Sequence, residues 1–239
     1  MRKVETFLPL LFLPFHGLMY IEFSKITASR GVDFGPAVTT PLDASVPFLP
    51  LMVIPYMIAW VYPAIFLVLL LTKQDFEIAI VRRILLAVLI LEAFCYVLWF
   101  AFPIKVSLRV TEAALAEHGW LGSLVSLNYK YSPVWHACPS FHVAGPWFFY
   151  RAAQLYRLPL QRTMLVLFVA IAASTVTIRI HYLIDIAGGL LVSELVYRLV
   201  LRRLQEGGAF AQSASRSAVI AYVSVLLFLI GALVLMRAS

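Results

Sequence analysis

Two short stretches carry residue types able to do chemistry: Cys138-Pro139-Ser140-Phe141-His142 and Arg179-Ile180-His181-Tyr182-Leu183-Ile184-Asp185. His181 and Asp185 are four apart, so on a helix they share a face. A carboxylate beside an imidazole fixes its tautomer and leaves the other ring nitrogen for a substrate. In the first stretch Pro139 suits the first helical position, where its missing N–H would have no partner. The N–H groups of that turn and the positive end of the helix dipole make an anion site. Ser140 adds a hydroxyl, and His142 is expected to face the same anion. Each feature alone also has a plainer reading: Ser140 as a cap, His142 as an interfacial residue, His181 and Asp185 as a structural ion pair.

Taken with the bases Lys105, Arg109 and Arg179, the set fits phosphoryl transfer. One histidine attacks phosphorus and the other protonates the leaving oxygen, while bases and N–H groups hold the equatorial oxygens. Metal binding is the rival use of His and Asp. No further carboxylate cluster is expected on that side, and the bases would repel a cation; no metal or cofactor is therefore expected.

The elements that must position these residues are apolar helices. Of 239 residues, 62% are hydrophobic and 13% charged, against about half and a quarter in soluble domains. The expected class is an all-α membrane protein. Apolar runs at about 7–23, 47–71, 84–102, 139–156, 164–178 and 181–201 predict a six-helix core, and 218–236 a seventh, C-terminal span. The whole chain, 1–239, reads as a single domain. The first run is broken by Pro9, Pro14 and His16-Gly17 and reads as a retained span rather than a cleaved signal. Pro47, Pro50, Pro55 and Pro63 punctuate the second run, which predicts a kinked helix packed inside the bundle. Between 103 and 137, residues 108–118 predict an amphipathic surface helix, and Trp120, Tyr129, Tyr131 and Trp135 suit the headgroup layer. Gly188-Gly189 offers a small surface where another helix can approach closely. Cys95 and Cys138 do not make a disulfide framework.

The net charge is +7. The bases gather near helix ends, so topology and anionic lipid account for it, and nucleic acid is not an expected partner. With the N-terminus in the cytoplasm, 12 of the 19 Lys and Arg residues fall inside, as the positive-inside rule requires. Lys105, Arg109 and Arg179 are among the exceptions, and they lie on the side of both chemical stretches. The expected location is a multi-pass protein of a bacterial inner membrane with its site on the periplasmic face.

These stretches resemble the type 2 phosphatidic acid phosphatase superfamily. Pro139, Ser140 and His142 match its Pro-Ser-x-His motif, and His181 with Asp185 match its histidine followed four residues later by aspartate. The surroundings look closest to the branch that holds inositol phosphorylceramide synthases. The similarity covers about 41–201. The resemblance implies that His181 is the nucleophile that becomes phosphohistidine, that Asp185 orients it and that His142 is the general acid. It implies that Lys105, Arg109 and Ser140 bind phosphate without a metal. The chain departs from the pattern at Val110, where the family has proline, at Phe141, where it has glycine, and at Thr175, where it has an arginine that Arg179 is expected to replace.

The function expected first is hydrolysis of a lipid phosphomonoester or pyrophosphate at the outer leaflet. The alternative is a phosphotransferase that moves a phospho-headgroup between lipids. A third reading, a lipid or solute transporter, rests on Glu92 and His16 placed mid-span, because buried ionisable groups mark proton and solute paths.

Overall fold

The structure, a computed structural model, describes residues 12–73 and 77–207. The expected seventh span, 218–236, and the side chain of His16 lie outside the described residues. Among the described residues the chain is all-helical, as its composition predicts.

Helix α1 (Phe12–Ser29) runs six residues past the expected end of the first span. The hydroxyls of its last turns are accommodated there. Thr27 Oγ1 donates to the Phe23 carbonyl at 3.0 Å and Ser29 Oγ to the Ile26 carbonyl at 2.8 Å, so polar side chains are satisfied within the helix. Two short helices follow, α2 (Gly35–Val38) and α3 (Pro41–Ser45).

A 3₁₀ turn at Pro50–Met52 leads into α4 (Val53–Leu71). Pro50 and Pro55 fall in first turns, where no helical bond is lost; Pro63 stands inside the helix. The expectation that this helix packs within the bundle is corrected here. Only 28% of its most apolar window is buried. Val53, Tyr56, Tyr62, Phe66 and Leu70 face inward, while Trp60, Val61 and Val68 face out. Helix α5 (Ile78–Ala101) is the more central element, with half of its apolar window buried.

Between 103 and 137 the expected surface helix at 108–118 is replaced by α6 (Glu112–Ala116) and a longer α7 (Gly119–Tyr131). Thr111 caps α6. The Tyr129 hydroxyl donates to the Ile178 carbonyl at 2.7 Å, so α7 is tied down by an aromatic that reads as a headgroup residue in sequence.

Helices α8 (Phe141–Leu155), α9 (Gln161–Thr177) and α10 (Leu183–Val196) complete the bundle. A π turn (Tyr197–Leu201) and a last helix, α11 (Arg202–Glu206), extend α10. Helices 50–71 and 79–101 have the length and apolar character to cross a membrane, with mean hydropathies of 2.2 and 2.5. Helix α8 has 15 residues, about 22 Å at 1.5 Å per residue, short of the roughly 30 Å of a hydrocarbon core.

The main core gathers Phe66, Leu91, Trp99, Phe148, Val192 and Val196 from α4, α5, α8 and α10. Beside it α8 and α10 approach closely, where the paired glycines predict it. A Cβ added at Gly189 would stand 2.7 Å from the Ser140 carbonyl oxygen, and one at Gly188 2.7 Å from Cys138 Sγ. The two chemical stretches therefore meet because α10 offers α8 a surface without side chains.

Candidate active site

His181 and Asp185 sit at the start of α10, 5% and 0% exposed. Asp185 is at the third position of the helix, where a carboxylate answers the unpaired N–H groups of the first turn. Its Oδ2 accepts from Tyr182 N at 2.8 Å and from His181 Nδ1 at 3.1 Å. A carboxylate only accepts hydrogen bonds. The His181 proton therefore sits on Nδ1, and Nε2 carries the lone pair. The backbone holds the ring in place as well: Ile180 N and His181 N both donate to the Thr175 carbonyl.

The second stretch packs against this one. Ser140, not Pro139, precedes the helix: α8 starts at Phe141 with Ser140 as its N-cap. The sequence expectation of Pro139 at the first helical position is displaced by two residues. The Pro139 carbonyl is held by Trp99 Nε1 at 3.0 Å, and Ser140 N donates to the Asp185 carbonyl at 3.1 Å. These bonds fix the entry to α8. The Ser140 hydroxyl does not cap the helix. It is fully buried and makes no hydrogen bond among the described residues, and Asp185 Oδ1 is in the same position. A buried polar atom left without a partner costs about 1–3 kcal/mol, and a catalytic role is one reason a native protein keeps such an atom.

His142 is partly exposed and lies in the first turn of α8, as its second residue. Its ring stacks on Tyr56 at 4.3 Å with a 21° tilt, meets the edge of Trp60 at 5.4 Å and stands 6.2 Å from the His181 ring. The Tyr56 hydroxyl lies 3.5 Å from His142 Nδ1. The structure thus brings His142, His181, Asp185 and Ser140 together.

The three bases are placed differently. Arg109 donates to the carbonyls of Tyr129 and Ser132 at 2.8 and 2.6 Å and packs on the Tyr129 ring, while its Nε is buried without a partner. Burial pulls its guanidinium below the ordinary value. Arg179, at a left-handed φ of 60°, donates to the carbonyls of Asp43, Ala44 and Val46. Lys105 is exposed, with its ammonium 5.6 Å from the Trp135 ring centre.

Two residues that sequence reasoning missed complete the frame. Asp43, 3% exposed, caps α3 through Thr40 and accepts from Leu183 N, the first residue of α10, at 2.7 Å. Burial pulls its carboxyl up, but the bonds from Leu183 and Thr40 outweigh that and hold it below the usual carboxylate value. The signal was present in Thr40-Pro41-Leu42-Asp43, a capping-box spacing with proline at the first helical position. The Tyr182 hydroxyl, fully buried, accepts from Ser107 N at 3.0 Å and donates to the Lys105 carbonyl at 3.2 Å. It ties the strand-like segment after α5 to the start of α10.

A family model, described as PAP2 superfamily, matches residues 21–199. The chain belongs to the PAP2 superfamily. The match spans every residue of the site and leaves the C-terminal segment beyond it. No curated protein and no solved structure matches the chain. Membership suggests a phosphatase-type function and agrees with helices apolar enough to cross a membrane. Among the described residues, no group of three or more His, Cys, Asp and Glu side chains gathers to hold a metal.

Proposed function

We propose that this PAP2 protein is a membrane-embedded lipid phosphatase working through a phosphohistidine at the outer leaflet. The observation that carries the reading is the pair of histidines 6.2 Å apart, one bonded to a buried carboxylate, beside a buried serine hydroxyl with no partner among the described residues.

The chemistry follows in two halves. His181 Nε2 attacks phosphorus, an N–P bond forms and the bond to the lipid oxygen breaks. His142, protonated, gives its proton to that oxygen, so the lipid leaves as an alcohol. Asp185 steadies the positive charge that develops on the His181 ring. His142, now neutral, takes a proton from water as it attacks the phosphohistidine, and inorganic phosphate leaves with His181 restored. An acid–base group of this kind contributes about 10²–10⁴-fold.

The Ser140 hydroxyl and Arg109 Nε, both buried and unpartnered, are the donors we assign to the phosphoryl oxygens. Lys105 adds positive potential at the mouth. Arg179, engaged with three carbonyls, is assigned to the α3 loop, which it fastens beneath the start of α10, rather than to the phosphate.

The test is product analysis with purified protein in detergent, using a panel of lipid phosphates and pyrophosphates with chelator, and with and without a lipid alcohol acceptor. Free phosphate without an acceptor, lost in His181→Ala, is the expected result. A headgroup product formed only with the acceptor would assign the phosphotransferase reading. Full activity in His181→Ala would overturn both.

A further inference from the structure

The end of the bundle opposite the histidines holds a second constellation. A cavity of about 440 Å³ is lined by Arg151, Tyr197, Arg198, Arg202, Arg203 and Glu206. Small-molecule sites run from about 300 to 1,000 Å³. Its lining begins at Tyr197, about 18 Å along the helix axis from Asp185 at 1.5 Å per residue, so it is separate from the candidate active site.

The arginines are held in place. Glu194 accepts from Arg151 and Trp147 at 3.0 Å and from Arg198 at 2.6 Å. The Arg151 guanidinium lies 4.3 Å from the Tyr197 ring centre, and its Nε is buried without a partner. The cavity forms where the helix widens into the π turn Tyr197–Leu201, a distortion common at functional sites. Basic residues near a helix C-terminus answer the helix dipole, and that accounts for exposed ones such as Arg202. It does not account for a guanidinium stacked in a cavity with an unpaired buried N–H.

An apolar stripe leads to the cavity. Leu191, Leu195 and Leu199 are spaced by four and all exposed, and Arg198 and Arg202 stand three residues beyond the last two. We infer that this cavity binds a phosphate-bearing anion, and that the apolar stripe makes it the headgroup of a membrane phospholipid with its chains along α10. Arginine forks suit phosphate oxygens, and the cavity lies at the end of the bundle where most bases gather.

The test is native mass spectrometry of the detergent-purified full chain with short-chain phosphatidylglycerol, against phosphatidylcholine of the same chain length. The expected result is saturable phosphatidylglycerol binding, weakened about tenfold or more in Arg198→Gln/Arg202→Gln. The control Arg157→Gln/Arg162→Gln removes equal charge from the same end outside the cavity and is expected to bind as wild type. Circular dichroism of both variants separates lost binding from lost folding, and Arg202→Gln alone, a change at an exposed position, is the fallback if the pair unfolds. Equal weakening in the control, or unchanged binding in the cavity variants, would overturn the site. Displacement of the lipid by millimolar inorganic phosphate would overturn the lipid assignment.

Discussion

His181 and His142 face each other across 6.2 Å and are held by opposite means. His181 is buried and fastened by a carboxylate, which is itself fastened by a backbone N–H. His142 is partly exposed and lies against the Tyr56 face, with the Tyr56 hydroxyl 3.5 Å from its Nδ1. A nucleophile needs one ring nitrogen fixed as a lone pair, and a permanent hydrogen bond to the other nitrogen provides that. A general acid must change charge during the cycle. A stack on Tyr56 tolerates both states, because a ring face attracts the cation and packs the neutral ring. The difference in holding thus matches a difference in role.

Four experiments sharpen or break this comparison. The largest effect is expected from His181→Ala: kcat falls by about 10⁴-fold or more, as when a nucleophile is removed from a cooperating set. His142→Ala is expected to lose about 10²–10⁴-fold on lipid phosphates. In the first half-reaction, transfer to His181 read in a single turnover, that loss shrinks for an aryl phosphate whose leaving oxygen needs no proton. An equal loss of that step on both substrates would remove the acid role from His142.

Gly189→Ala comes third. Its new Cβ would press on the Ser140 carbonyl oxygen, and overpacking of this kind costs about 1–3 kcal/mol. Lowered thermal stability and lowered activity are expected together, since the same contact positions both motifs. The smallest effect belongs to Asp43→Asn, about 1 kcal/mol as for a lost cap. Its pH dependence has a definite sign. The folded-state carboxyl sits below its ordinary 3.8. The stabilisation is therefore present above that value and is lost as pH falls through the folded value. Acid titration of stability should show a step below pH 3.8 in the wild type that is reduced in the variant.

The site was partly legible in sequence, for physical reasons. A spacing of four puts His181 and Asp185 on one face whatever surrounds them, and the trailing glycines forecast the close approach of α8 and α10. The frame was less legible. Arg179 reads as a phosphate ligand because it is a base beside a histidine; its three carbonyl partners lie more than 130 residues earlier in the chain. The roles of Asp43 and Tyr182 depend on contacts across 140 and 75 residues, which no local pattern encodes. Helix α7 escaped notice because glycine, serine and aromatics obscure its period. Helix α1 outran its apolar stretch, and the hydroxyls in its added turns are satisfied by bonds back to its own carbonyls.

The central claim, that His181 is the attacking group, is tested most directly by trapping. Rapid acid-free quench of the enzyme during turnover of a lipid phosphate, followed by mass spectrometry of the peptide holding His181, should reveal a base-stable, acid-labile phosphoryl group on that residue. His142→Ala tested with an aryl phosphate should accumulate more of it, because the base for water attack is gone. Turnover at the wild-type rate in His181→Ala, or a phosphoryl group found on another residue, would contradict the account.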